Sequence, residues 1–123
     1  MDKRPFDRLI DRPLDYILDD DDRPVPSDPI AGARWRHAHR ERLRVGRDRV
    51  AGDQELSTIF LGLDHGYDLD GPPVLWETAI ISTHEDGNTD TDIVARYTTI
   101  EQARMGHATC IAMLEKRARG EDD

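Results

Sequence analysis

Three carboxylates and an imidazole fall within seven residues at Asp64, His65, Asp68 and Asp70. Oxygen and nitrogen donors of these types suit Mg, Mn or Zn if the loop that carries them folds back on itself. The spacing matches no known metal signature. A calcium-loop register can be forced through Asp68, Asp70, Gly71 and Glu77, but it starts on Gly66 and puts a proline where a backbone ligand is needed. The simpler expectation is structural. Asp64 caps the turn after a strand, Asp68 and Asp70 are solvated turn formers, and Gly71, Pro72 and Pro73 stiffen the re-entry.

A second chemistry centres on His107, which falls on an apolar helical stripe beside Gly106, a residue that lets helix and sheet approach closely. A buried histidine needs hydrogen-bond partners, and Asp64, His65 or Glu77 is the candidate. Those four together would make an acid–base or metal-bearing group. The simpler expectation is a core histidine with its hydrogen bonds satisfied. By strand alternation Glu77 faces either solvent or His107, and burial beside His107 would perturb its pKa. Cys110, three residues on, reads as a small core residue rather than a nucleophile. His37 and His39 are two apart on a helix and do not share an ion. Ser57 lacks a G-x-S-x-G context, and glycines 62, 66 and 71 form no phosphate loop.

These side chains need elements to hold them. Tyr16 to Leu18 can pair with Val25 as a small hairpin across the four aspartates at 19–22. Ser27 or Asp28 before Pro29 starts a short helix over 29–39. The two-residue period of RLRVGRDRV then predicts a strand with a possible bulge at Gly46. Strands follow at 56–63 (LSTIFLGL), 74–82 (VLWETAIIS) and 93–97, the last after a long polar turn, THEDGNTDTD. Thr98 and Glu101 form a capping box for a helix over 98–119, with Ile100, Ala103, His107, Cys110, Ile111, Leu114 and Ala118 on one stripe.

The expected fold is α+β: an antiparallel sheet of three to four strands covered by the C-terminal helix, with a short helix in the N-terminal half. One domain spans 1–123, with 1–14 flexible, a hairpin plus helix over 15–40, a meander over 42–97 and the helix over 98–119.

The chain has 123 residues, 17 basic against 26 acidic, for a net charge of -9. Such acidity makes free nucleic acid an unfavourable partner. Residues 31–52 nevertheless carry seven bases and two acids, between acidic flanks. Mutual neutralisation within the fold is the expected reason. If this belt or the aromatics meet a partner, Trp35, Arg34, Trp76 and Tyr67 are the candidate contacts. One cysteine makes no internal disulfide. No apolar run reaches membrane length, and the charged amino terminus has no apolar leader, so the expected location is the cytoplasm. No cofactor is expected.

The stretch LSTIFLGLDHGYDLDGPPVLWET (56–78), followed by Arg96-Tyr97-Thr98, Glu101-Gln102-Ala103 and Gly106-His107, resembles a family of small uncharacterised proteins of bacteriophages, prophages and bacteria, of actinobacterial-phage type. YILDDDDRPVP before Arg34-Trp35 resembles the family's amino-terminal half, so the likeness covers most of the chain. Trp76 departs from the family's phenylalanine, and the loop after His65 is not glycine-rich. The 15 arginines against 2 lysines fit a GC-rich coding bias. The resemblance implies a phage origin and brings no activity with it. Together these readings lead to an accessory protein that binds a host or phage protein in the host cytoplasm, with possible homo-oligomers. The alternatives are a metal-dependent or acid–base enzyme using Asp64, His65, Glu77 and His107, and a minor virion structural protein.

Overall fold

The computed structural model describes residues 14–66 and 71–120. The segment expected to be flexible lies outside these residues, apart from Leu14. So do Tyr67, Asp68 and Asp70.

Strands β1 (Asp15–Leu18) and β2 (Pro24–Ser27) pair antiparallel with Ile17 opposite Val25, which is the expected hairpin. Its acidic turn is built by its own first aspartate. Asp19 Oδ1 accepts the N–H groups of Asp21 and Arg23 at 2.9 Å each, so the side chain does the work of a backbone acceptor. Asp22 then takes φ 59°, a left-handed conformation that aspartate tolerates.

Helix α1 (Pro29–Ala38) starts on Asp28, whose carboxylate accepts Ala31 N–H at 2.8 Å, with proline at the first helical position. One further helical turn, α2 (Arg40–Leu43), occupies the residues where the sequence pattern starts a strand. The strand, β3 (Arg44–Ala51), begins two residues later and carries the expected bulge at Gly46.

Strands β3, β4 (Gln54–Phe60), β5 (Trp76–Thr83) and β6 (Thr89–Tyr97) form an antiparallel meander in chain order. The fold is therefore the expected α+β. Strand β4 ends before the predicted 63 because Gly62, at φ 74°, turns the chain toward the hairpin, where its carbonyl accepts Tyr16 N–H at 2.8 Å. Leu63 bridges Asp15 and joins the two sheets. The polar stretch expected as a long turn closes within 84–88. His84 N–H donates to Asn88 O at 2.8 Å, and Gly87 takes φ 86°. The following Thr-Asp-Thr-Asp extends β6, because an exposed edge strand accepts charges that an inner strand would not.

Helix α3 (Ile100–Ala118) packs on one face of this sheet. Its cap is shifted one residue from prediction. Thr99 accepts Gln102 N–H at 3.1 Å, while the Gln102 side chain accepts from Thr98 N–H at 3.1 Å, so glutamine rather than Glu101 closes the box. Only the amino half of the predicted stripe is well covered: Ala103 and His107 are buried, whereas Ala118 is exposed. The core gathers Trp76, Phe60, Leu75, Tyr16, Leu18 and Ala103 from both sheets and α3. Phe60 lies 5.2 Å from Trp76 and edge-on to Trp35 at 6.3 Å, centroid to centroid. Each such side chain contributes about 2–3 kcal/mol by leaving water.

Candidate functional site

The loop after β4 is held by Asp64 itself. Its Oδ1 accepts the N–H groups of Gly66 at 2.8 Å and Val74 at 2.9 Å, tying the loop's entry to its exit. His65 N–H donates to Val74 O at 2.9 Å, and its ring Nδ1–H donates to Leu63 O at 2.7 Å. Both side chains thus serve the turn. Among the described residues no three His, Cys, Asp or Glu side chains are placed to hold a metal.

Glu77 is on the other side of the sheet from His107. It sits opposite Arg96 in the β5–β6 register and accepts from its guanidinium at 3.1 Å. Thr78, the next residue, points to α3. The expected convergence of Asp64, His65, Glu77 and His107 does not form, because strand alternation places Glu77 away from the helix and Asp64 is engaged in its own loop.

His107 instead anchors a chain of hydrogen bonds that draws on every strand of the meander. Its Nε2–H donates to Asp48 Oδ2 of β3 at 2.7 Å, since a carboxylate only accepts. In the neutral ring Nδ1 then accepts the Thr58 hydroxyl of β4, also at 2.7 Å. Thr58 in turn meets Thr78 of β5 at 2.6 Å, and Thr78 meets the Tyr97 hydroxyl of β6 at 3.0 Å. With Tyr97 donating to Thr78 and Thr78 to Thr58, every hydroxyl hydrogen has an acceptor. Two glycines make room for it. A Cβ on Gly46 would lie 2.6 Å from His107 Nε2, and one on Gly106 would strike the Tyr97 hydroxyl. Asp48, Thr58, Thr78 and Tyr97 were not singled out in the sequence. Their signal was a threonine at a core-facing position of each central strand.

Carboxylate, imidazole and hydroxyl in that order resemble a nucleophilic triad, but Thr58 and Thr78 are wholly buried under α3. No substrate reaches them. The chain bonds the helix to the sheet, which is the core role expected of His107. Cys110, half-buried, has its thiol pKa pushed up by burial, so it is a poor nucleophile at neutral pH.

The binding candidates separate. Trp76 is wholly buried and cannot meet a partner, because it forms the centre of the core. Trp35 is half-buried, with the His39 ring stacked at 4.7 Å and the Arg42 guanidinium 5.4 Å from its centroid. Arg34 is exposed. Much of the basic belt is neutralised by the flanking acids: Arg36 meets Asp15 at 3.3 Å, Arg42 meets Asp22 at 2.9 Å, and Arg47 and Arg49 meet Glu55 at 2.7 and 3.6 Å. Arg34, Arg40 and Arg44 make no ion pair among the described residues. Arg44 and Arg42 open onto a cavity of about 510 Å³ between the acidic turn, β3 and the start of α3. No described helix is long and apolar enough to cross a membrane.

No protein-family model, curated protein or solved structure matches the chain.

Proposed function

We propose that the chain is a phage-encoded accessory protein that works in the host cytoplasm by binding a host or phage protein. The observation that supports this reading is β6, a nine-residue strand at the edge of the meander with no strand beyond it among the described residues. Ile93 and Val94 on this strand are 53% and 46% exposed. An open edge offers backbone donors and acceptors to a partner strand, and such apolar side chains supply the contact. Asp90 and Asp92 on the same strand favour a neutral or basic partner over a second copy. The resemblance to phage and prophage proteins supports the origin. The acid–base or metal-dependent alternative has no converged side chains among the described residues to carry it.

The test is crosslinking of the tagged wild type and of Ile93→Lys in lysate of the bacterial host, read by mass spectrometry. The expected result is one stoichiometric partner, captured about tenfold less by the lysine variant. Equal capture by both removes the edge from the reading. Capture of nothing by either refutes the binding function, and recovery of the chain in purified virions would favour the structural-protein alternative.

A further inference from the structure

We propose that two adjoining cavities at the start of α3 form one docking site for an acidic segment of a protein partner, an inference that rests on the binding function above. The larger, about 510 Å³, is walled by Arg42, Arg44, Arg104 and Val45, with Asp20 and Asp22 opposite. The smaller, about 230 Å³, is lined by Arg23, three prolines and Trp76. Asp22 and Ile100 line both cavities, so a ligand crossing them meets four guanidinium groups.

The molecule already shows how a carboxylate is received there. Asp22 of the chain lies between two of these arginines, 2.9 Å from Arg42 and 3.6 Å from Arg104. Arg23 and Arg44 have no ion pair among the described residues and remain for an incoming acid. A further feature adds to the arginines. Thr99 covers only the Gln102 N–H of the first turn of α3, leaving the Ile100 and Glu101 N–H groups without a described acceptor at the positive end of a 19-residue helix.

The ligand class follows from the mixture. Asp20, Asp22 and Glu101 beside the arginines, in a chain of net charge -9, oppose the continuous charge of a nucleic-acid backbone. A peptide alternating carboxylates with apolar side chains matches both the arginines and the Val45, Ile100 and proline surfaces.

The probe is a fluorescein-labelled decapeptide alternating glutamate and leucine, titrated by anisotropy, with a glutamine-for-glutamate control and oligothymidylate as competitor. The expected result is saturable binding of the acidic peptide, about tenfold weaker for the control and for Arg44→Ala. Arg44 is exposed and without a described ion pair, so this variant keeps the fold, which an unchanged melting curve verifies. Arg104→Ala should weaken binding in the same direction. No binding to wild type at about 1 mM peptide, or equal binding by Arg44→Ala, overturns the proposal. So does oligothymidylate that displaces the peptide at lower concentration than unlabelled peptide does. A partner that Arg44→Ala still captures but Ile93→Lys loses would overturn the cleft and leave the binding function standing.

Discussion

Thr58→Val tests the hydrogen-bond chain under α3 at its centre. Valine copies the shape of threonine, so packing around this wholly buried site is kept and only the hydroxyl is lost. That hydroxyl serves two partners, His107 Nδ1 at 2.7 Å and Thr78 Oγ1 at 2.6 Å. Thr78 keeps the Tyr97 hydroxyl as its partner, whereas His107 Nδ1 is left unpaired in a buried site, at a cost of about 1–3 kcal/mol. The methyl gained in exchange returns about 0.8 kcal/mol. The net expectation is a loss of about 1–2 kcal/mol, or about 4–8 °C in Tm for a chain of this length. Thr78→Val should cost less, because Tyr97 is half-buried and can turn its hydroxyl to water. Asp48→Asn should cost under about 1 kcal/mol, since the Asp48 side chain is 53% exposed and water replaces part of what it gives. Urea and thermal melts followed by circular dichroism give all three values. A Thr58→Val protein within about 0.5 kcal/mol of wild type, or one less affected than Asp48→Asn, would refute the chain as the bond between helix and sheet.

Gly106→Ala should destabilise by about 1–3 kcal/mol in the same melts although alanine favours helix, because the new methyl strikes both the hydroxyl and the ring edge of Tyr97. Asp28→Ala should cost about 1 kcal/mol by leaving Ala31 N–H uncapped at the start of α1. The Cys110 thiol is raised by burial, so the folded chain holds this proton more tightly than the unfolded one. Its contribution to stability is present below the unfolded pKa and falls away as pH rises through the folded one, and iodoacetamide labelling should keep accelerating with pH beyond the point where a free thiol levels off. Glu77→Gln should destabilise by about 1–2 kcal/mol in the same melts, because the Glu77 side chain is only 15% exposed and its loss leaves the Arg96 guanidinium without its anion.

The meander was legible because β4 and β5 carry runs of β-branched and aromatic residues that have no other good conformation, and α3 because its apolar residues keep a helical period. The Asp19–Asp22 turn and the Gly46 bulge were legible from residue type alone. Element ends were less so. Gly62 ends β4 through a backbone conformation that hydrophobicity does not report. Thr89 to Asp92 reads as loop by composition, yet an edge position removes the penalty on its charges. Thr98 and Thr99 are equivalent as caps until Gln102 chooses between them. The candidate site failed for a different reason. Nearness in sequence made Asp64 and His65 look like a cluster, while the partners of His107 lie 49 and 59 residues away and become neighbours only through the sheet register. That histidine's role as a satisfied core residue was readable, and the identities of its partners were not.

That same separation gives the molecule an order of assembly. Each strand of the meander pairs with the one just before it, so the hairpins close short loops and form early. Helix α3 follows the four strands and lays His107 across the sheet, where it gives Thr58 its second partner. Without the helix, Thr58 keeps only Thr78 as a partner, on an otherwise apolar face. Buried at Ala103 and His107 alone, α3 sits on the sheet as a lid does, and its amides should exchange with solvent ahead of those in β4 and β5.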